Sequence, residues 1–425
     1  MSASTDALGA PGFPEGAVRA RARAGTAEVF PPAGEYGSRL FGADAPPARP
    51  GDSLDELRLT PPVFMPRRLE KLIDLGREPS YEDVDLRTSV GGFDARLPLY
   101  LSAFGSTRAG NGDLGVAAAR QAARLGVPMV IGENMVPVHG YGGSSALLER
   151  VAAYADALDP GVGGVVVQQS TEDADSEVWN LLYSDPGSRA LRDSGRLGFE
   201  LKVGQGAKPG LGGMTVVGAA EAERLGAQFA VRDLLGDPDG RLLRCATPGT
   251  FTEEIVRQQL RFMRNNFPLA RTWVKFHPGR DIARAAATAW AAGADAVTVD
   301  GAEGGTGWAP RVFLEQAGLP LGECLIRIGR PAGNLLASGR MWEGGRAVRA
   351  LALGATAVGL GRAALLAVDE DPAEGLVRLV EALALEVRLL VSAVGKYRPG
   401  DLDSEDLWSP GGAPAAAPVP VGERS

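Results

Sequence analysis

The residues most able to do chemistry sit in one glycine-rich stretch, Glu200-Leu201-Lys202-Val203-Gly204-Gln205-Gly206-Ala207-Lys208-Pro209-Gly210-Leu211-Gly212-Gly213. A short apolar run leads straight into two lysines, a glutamine and five glycines. Lysine offers a point charge, and glycine lets backbone N–H groups approach a ligand, so the pattern suits a carboxylate or a phosphate. A second stretch, Asp300-Gly301-Ala302-Glu303-Gly304-Gly305-Thr306-Gly307, follows the apolar run Val297 to Val299. Gly304 and Gly305 at its centre would let backbone lie against a flat ring or a phosphate. A third pair, Ser338-Gly339-Arg340 and Gly359-Leu360-Gly361-Arg362, is separated by one helix length. Backbone N–H groups of Gly339, Gly359 and Gly361 would cradle phosphate, and Arg362 would add charge.

Single polar residues at the ends of apolar runs extend the set. Lys275 lies inside Trp273-Val274-Lys275-Phe276, where an unpaired charge is costly, so an anionic partner is expected. Gln168 and Gln169 end Val165-Val166-Val167, and an amide there both donates and accepts. Glu133, after Val130-Ile131-Gly132, is the best-placed acid. His277 follows Lys275 by two residues and so lies near the same mouth, whereas His139 reads as a loop residue. The two histidines have no metal-ligand spacing with each other or with Cys245 and Cys324, so no metal site is expected.

Elements that could carry these groups recur along the chain. Short Val/Ile/Leu runs are expected as strands at Leu97–Ser102, Val127–Ile131, Gly164–Gln168, Phe199–Val203, Thr272–Phe276, Ala296–Val299 and Ala357–Leu360. Helices, most of them alanine-rich, are expected between them at Asp113–Leu125, Leu147–Leu158, Thr252–Asn265, Asp281–Ala292 and Gly344–Leu353, three of them closed by Gly126, Gly293 and Gly354. Leu325–Ile328 reads as a further short strand and Leu335–Ser338 as a turn region. Strand–helix alternation of this kind implies a parallel sheet, and about eight units fit a closed (β/α)8 TIM barrel whose strand ends form the active face. An open doubly wound sheet is disfavoured because the first turn lacks a G-x-G-x-x-G fingerprint. The α/β barrel is expected over residues 57–408, with flanking elements: a short helix at Arg67–Leu75, a strand with turns at Tyr81–Val90 and a long helix at Pro372–Val394. Residues 1–56 read as an irregular arm and 409–425 as a disordered tail.

The bulk properties agree. The chain has 425 residues, 45% hydrophobic and 23% charged, with 58 glycines, roughly twice ordinary usage. A formal charge of −8 argues against nucleic acid as a partner. No apolar run approaches the roughly 18 residues of a membrane span, and the N-terminus lacks signal-peptide character, so a cytoplasmic location is expected.

The segment Lys202-Val203-Gly204-Gln205-Gly206-Ala207-Lys208-Pro209-Gly210 resembles the most distinctive stretch of the FMN domain of glutamate synthases. Other pieces follow in the same order. Ser102-Ala103-Phe104-Gly105-Ser106 resembles that family's first strand and turn, Gly132-Glu133 its glutamate-bearing turn, and Val274-Lys275-Phe276 its flavin-side lysine strand. The likeness runs from about Pro61 to Trp408. It implies FMN at the barrel mouth, with Ser102, Ala103, Gln168, Lys275, Gly304, Gly305, Ser338, Gly339, Arg340, Gly359, Gly361 and Arg362 on the cofactor. It also implies Glu133, Lys202, Gln205, Lys208 and His277 on the substrate side, near a small amino, imino or 2-oxo acid that exchanges a hydride with the flavin.

Departures from the family are specific. Where glutamate synthases carry three clustered cysteines for a 3Fe–4S centre, this chain has Leu366-Ala367-Val368-Asp369-Glu370-Asp371-Pro372. No iron–sulfur cluster is therefore expected. The amidotransferase domain and its nucleophilic cysteine are absent from the sequence, and Asn134 to His139 replaces a glycine-rich run after Glu133. Expected partners are a small-molecule substrate and an electron donor or acceptor of unspecified identity, with a homo-oligomer left open. Two further readings stand beside the oxidoreductase: a non-redox FMN enzyme using reduced flavin as an acid–base or electron relay, and a flavin-free partner subunit.

Overall fold

A computed structural model describes residues 12–29, 53–104, 114–132, 146–170, 177–204, 206, 215–227, 229–233, 240–245, 251–304, 311–331 and 333–410. Eight parallel strands close into a barrel. In chain order they are β1 (Leu99–Phe104), β2 (Met129–Ile131), β3 (Val165–Ser170), β4 (Leu197–Lys202), β5 (Arg271–Phe276), β6 (Ala296–Asp300), β7 (Asn334–Ser338) and β8 (Ala357–Leu360). Each strand pairs with its neighbours in sequence, and β8 closes on β1 through Val358↔Leu99, Gly359↔Tyr100 and Leu360↔Leu101. The strands are buried almost throughout because helices cover their outer faces and side chains fill the inside, which is why they read as unbroken apolar runs.

The helices follow from alanine-rich periodicity. Leu114–Leu125, Ile282–Ala291 and Gly344–Ala352 each turn small residues toward the strands. Gly126, Gly293 and Gly354 follow with φ of +67°, +92° and +105°, as the expected helix-ending glycines require. Thr252 caps Glu253–Asn266, its hydroxyl accepting from the Ile255 N–H at 3.2 Å.

Two expectations exchange places. Leu325–Ile328 is not a strand but the second half of a helix, Leu321–Ile328. Leu321, Cys324, Leu325 and Ile328 recur at helical spacing, and Pro320 stands just before the first turn. Leu335–Ser338 is not a turn but most of β7, a run of buried side chains bounded by Gly333 and Gly339.

The stretch from Tyr81 to Val90 begins as a one-turn 3-10 helix, Tyr81–Asp83, capped by Ser80. It ends as the first arm of a hairpin, Thr88–Val90 paired with Phe93–Ala95. Gly91 and Gly92 form the two-residue turn with φ of +58° and +90°, a combination that side chains resist. This hairpin plugs the N-terminal end of the barrel. Phe93 packs 5.7 Å from Trp273, and the Trp273 indole N–H donates to the Gly91 carbonyl at 2.8 Å.

The N-terminal stretch is more regular than expected. Glu15–Ala24 forms a helix with Val18 and Ala22 buried, lying across helices Arg362–Glu370 and Gly375–Ala393. Arg19 bonds Asp369 at 2.9 Å and Glu370 at 3.1 Å, fixing the crossing. The sequence also gives no hint of a three-stranded antiparallel sheet between β4 and β5, built from Thr215–Val217, Ala230–Asp233 and Leu242–Cys245. Near the end, Leu407–Trp408 pairs with Arg58–Leu59, and the tail after Pro410 lies outside the described residues. Among the described residues no helix is long and apolar enough to cross a membrane.

Candidate functional site

Inside the barrel, side chains change from apolar to ionic along the strand direction. Nearest the plug are Tyr100, Val130, Val166, Trp273, Leu336 and Ala357, which form one apolar cluster with Val90 and Phe93. One pleat repeat further along come Gln168, Glu200, Lys275 and Thr298, all buried. Beyond them, at the C-terminal mouth, stand Ser102, Ser170, Lys202, Asp300 and Ser338. Strand side chains on one face recur every second residue, so Gln168 and Ser170, Glu200 and Lys202, and Thr298 and Asp300 are three steps of one inner wall.

Glu200 is the hub of the buried layer. It is 1% exposed. It accepts from Gln168 Nε2 at 2.5 Å and from the Thr298 hydroxyl at 2.7 Å. Thr298 is on β6 and Glu200 on β4, strands separated by β5, so that bond runs through the interior. Burial pushes the Glu200 carboxyl above its ordinary value, while Lys275, Thr298 and Gln168 pull the other way. Lys275 ion-pairs with Asp300 at 3.0 Å, and both are buried. The anionic partner expected for Lys275 is therefore found within the protein, in Asp300, with Glu200 close enough to feel the lysine's charge.

Asp300 ties three strand-end loops together. It accepts from the Ser338 hydroxyl at the end of β7 and, at 3.4 Å, from the backbone N–H of Gly206 beyond β4. The Gly301 N–H donates to the Ser338 carbonyl at 2.9 Å. Gly206 has to be glycine, since a Cβ there would overlap the Gly301 carbonyl oxygen. Gly304 closes the same turn by donating to Gly301 O at 2.9 Å.

The last two strand ends meet β1. A Cβ on Gly359 would overlap Ser102 Oγ and the Tyr100 ring, so the end of β8 lies flat against β1 only because residue 359 has no side chain. Gly361 stands beside Ser102 and begins the helix Arg362–Glu370, whose first N–H groups face the same place. Gly339 sits at φ +131°, a backbone shape that favours glycine, beside the Gly301 amide. Neither the Ser102 hydroxyl nor the neighbouring Tyr100 hydroxyl meets hydrogen-bond geometry with a partner among the described residues, but the two lie together over Gly359 and Ser102 acts on the Tyr100 phenol. Burial and the nearby carboxylates raise the Tyr100 phenol far above its ordinary value, so it stays neutral.

The structure thus brings together Ser102, Ala103, Gln168, Lys202, Lys275, Gly304, Ser338, Gly339, Gly359 and Gly361 at one barrel mouth. His277 lies at its rim, packed on Gly204, with Nδ1 buried and without a partner among the described residues. Burial holds its imidazole below the ordinary value. Two arginines are engaged at the side of the site. Arg340, at φ +53°, bonds Asp55 at 2.7 Å. Arg362 stacks over the Phe13 ring at 5.9 Å. Glu133, Gln205, Lys208 and Gly305 lie outside the described residues. Glu200, Thr298, Asp300 and Tyr100 were not anticipated as site residues. Once the inward face of each strand is known, Glu200 and Tyr100 are exposed by their two-residue spacing from Lys202 and Ser102, and Thr298 and Asp300 by their register beside Lys275 and Ser338. Of the cysteines, Cys324 is buried on its helix with its thiol pushed up to about 12 by desolvation, and Cys245 is half-buried on the antiparallel sheet.

Comparison with known proteins places this geometry. Residues 161–371 match the family model described as the conserved region in glutamate synthase. An archaeal-type glutamate synthase [NADPH] of Dehalococcoides mccartyi is 30% identical over 188 residues, 41% of this chain and 36% of that protein. A glutamate synthase large subunit-like protein of Rhizobium meliloti is 36% identical over 191 residues, 41% of this chain and 40% of its own. The match therefore spans well under half the length of these relatives. Among solved structures, an active chimera of (S)-mandelate dehydrogenase superposes with a TM-score of 0.55 at 18% identity, covering 93% of this chain and 99% of that one. A flavocytochrome b2 with sulfite bound gives 0.56 at 16% identity, covering 88% and 81%. At such identities the likeness is one of fold, an α/β (β/α)8 barrel. The region from Gly161 to Asp371, which holds β3 to β8 and the helix Arg362–Glu370, is the part of the chain that is similar to the glutamate synthase family.

Proposed function

We propose that this chain is an FMN-dependent oxidoreductase of the glutamate-synthase-like kind, acting on a small amino, imino or 2-oxo acid at the C-terminal mouth of the barrel. One observation carries the reading. Two glycine turns, Ser338-Gly339 and Gly359-Leu360-Gly361, meet a helix N-terminus and the buried Ser102 hydroxyl. The nearest carboxylates among the described residues are already engaged, Asp300 by Ser338 and Lys275 and Glu303 by the Leu321 N–H. Such a cradle fits the phosphate of FMN.

In this proposal Ser102, Ser338, Gly339, Gly359 and Gly361 hold the phosphate end. Gln168 and Lys275 serve the polar edge of the ring system, and Ala103 and Gly304 give it close backbone approach. Bound FMN supplies hydride-level, two-electron chemistry. The chain's own work is to keep water out and charge in place. The plug built on Phe93 and Trp273 closes the barrel from below. Lys275 is held in place by its ion pair with Asp300, and Lys202 brings a second cation to the mouth. A carboxylate substrate would be drawn to Lys202, with Gln205, Lys208 and Glu133 as its further contacts. His277, whose pKa burial lowers, would be neutral at pH 7 and able to accept a proton at Nδ1. The relatives are glutamate synthases by name, which agrees with an amino or 2-oxo acid as substrate class.

The test is anaerobic. FMN-loaded protein is mixed with a panel of small amino acids, and the photoreduced protein with 2-oxo acids plus ammonium. Bleaching by an amino acid, or reoxidation by a 2-oxo acid with ammonium, is expected for at least one pair. A flavin that none of these compounds reduces or reoxidises would refute the substrate class.

A further inference from the structure

Glu200 has no place in the reading above, yet the buried polar layer is organised around it. It faces the interior from β4 and gathers a hydrogen bond from β3, one from β6 and the electrostatic influence of Lys275 on β5. A carboxylate this deep is costly unless each lone-pair region is used. Here one oxygen takes Gln168 Nε2 and the other takes the Thr298 hydroxyl. An amide side chain has two ends that differ chemically, and its orientation is set by its partner. As a carboxylate Glu200 only accepts, and in that form it fixes the nitrogen end of Gln168 inward. The same carboxylate joins Asp300 in balancing Lys275.

We propose that Glu200 is a positioning residue of the oxidoreductase site: it locks the Gln168 amide in one orientation and sets the charge balance around Lys275. The proposal rests on the FMN reading and deepens it. Glu200 acts through Gln168 and Lys275, the two side chains assigned above to the polar edge of the ring. With the carboxylate present, Lys275 answers to two anions. Removing its charge takes one anion away from Lys275, and more of the positive charge is left to stabilise a reduced, anionic ring system. Replacement by an isosteric amide also permits Gln168 to turn over, since glutamine at 200 can donate as well as accept.

The experiment compares wild type, Glu200→Gln and Thr298→Val, each loaded with FMN, by midpoint potential and by visible absorption. Far-UV circular dichroism and thermal melting verify the fold. Glu200→Gln is expected to stay folded, to retain FMN and to favour the reduced flavin about tenfold, a positive shift of about 30 mV for a two-electron couple. Thr298→Val, which removes one hydrogen bond but keeps the charge, is expected to shift the potential much less. A flavin-loaded Glu200→Gln protein with the wild-type potential and spectrum would overturn the proposal, as would an equal shift in Thr298→Val. If Glu200→Gln does not fold, Glu200→Asp takes its place. That variant keeps the charge and is expected to keep the potential while lowering kcat. Wild-type kcat in Glu200→Asp would overturn the positioning role. A wild-type protein that takes up no flavin would instead refute the FMN reading, so the two failures are distinguishable.

Discussion

At the scale of single residues, the site is a small set of charges kept inside a barrel by partners from other strands. Lys202, Lys275 and Gln168 were legible in the sequence because each interrupts or ends an apolar run, where a polar group needs a reason. Glu200, Thr298 and Asp300 were less legible because their reason lies elsewhere. The partners of Glu200 are 32 and 98 positions away, and no local pattern announces them. Lys275 is the position where the structure changed the interpretation most. Its counter-charge is Asp300, so the lysine is a component of the protein's own network before it serves any ligand. Lys275→Met should therefore act twice. It leaves Asp300 and Glu200 buried without their cation, a loss of about 3–5 kcal/mol typical of breaking a buried pair. It should also weaken FMN retention. Urea unfolding with and without FMN measures both effects, and an unchanged midpoint in both conditions would remove Lys275 from the network and the site alike.

At the scale of elements, alternation of short apolar runs with alanine-rich helices was enough to place most of the barrel strands within two or three residues. The misreadings occurred where a four-residue segment with three apolar residues could be either strand or helix. Leu325–Ile328 belongs to a helix because Leu321 and Cys324 complete its period, while Leu335–Ser338 is a strand because glycines bound it on both sides. The antiparallel sheet between β4 and β5 escaped notice because its strands are short and because Ala230–Asp233 and Leu242–Cys245 bury no residue fully, so neither reads as a buried apolar run. Strand β8 carries a prediction of its own. Gly359→Ala forces a methyl group into Ser102 and Tyr100, so β8 must move from β1 where the cradle forms. The variant is expected to fold with lowered stability and to lose most of its affinity for FMN, measured by fluorescence titration of the apoprotein. Wild-type affinity would show that the β8–β1 contact does not shape the binding site.

At the scale of the whole molecule, described segments that precede the first barrel strand are fastened to the barrel and its outer helices. The helix Glu15–Ala24 straps the last two helices, and Asp55 bonds Arg340 and the fully buried Arg346 beside the Gly339 turn. This holds the turn's left-handed Arg340 from outside the barrel. Glycine turns alone suit any phosphate. The proposal that the phosphate belongs to FMN rests on the Lys202 to Gly210 resemblance and on the family match over residues 161–371, and the closed barrel supplies a place for it. The central claim is therefore that the cradle between Ser338 and Gly361 binds FMN. The direct measurement is the flavin content of the purified chain, released by denaturation after incubation with excess FMN and removal of the unbound cofactor. The account predicts stoichiometric FMN with the absorption bands of a bound flavin before release. A colourless protein that retains no FMN would contradict it.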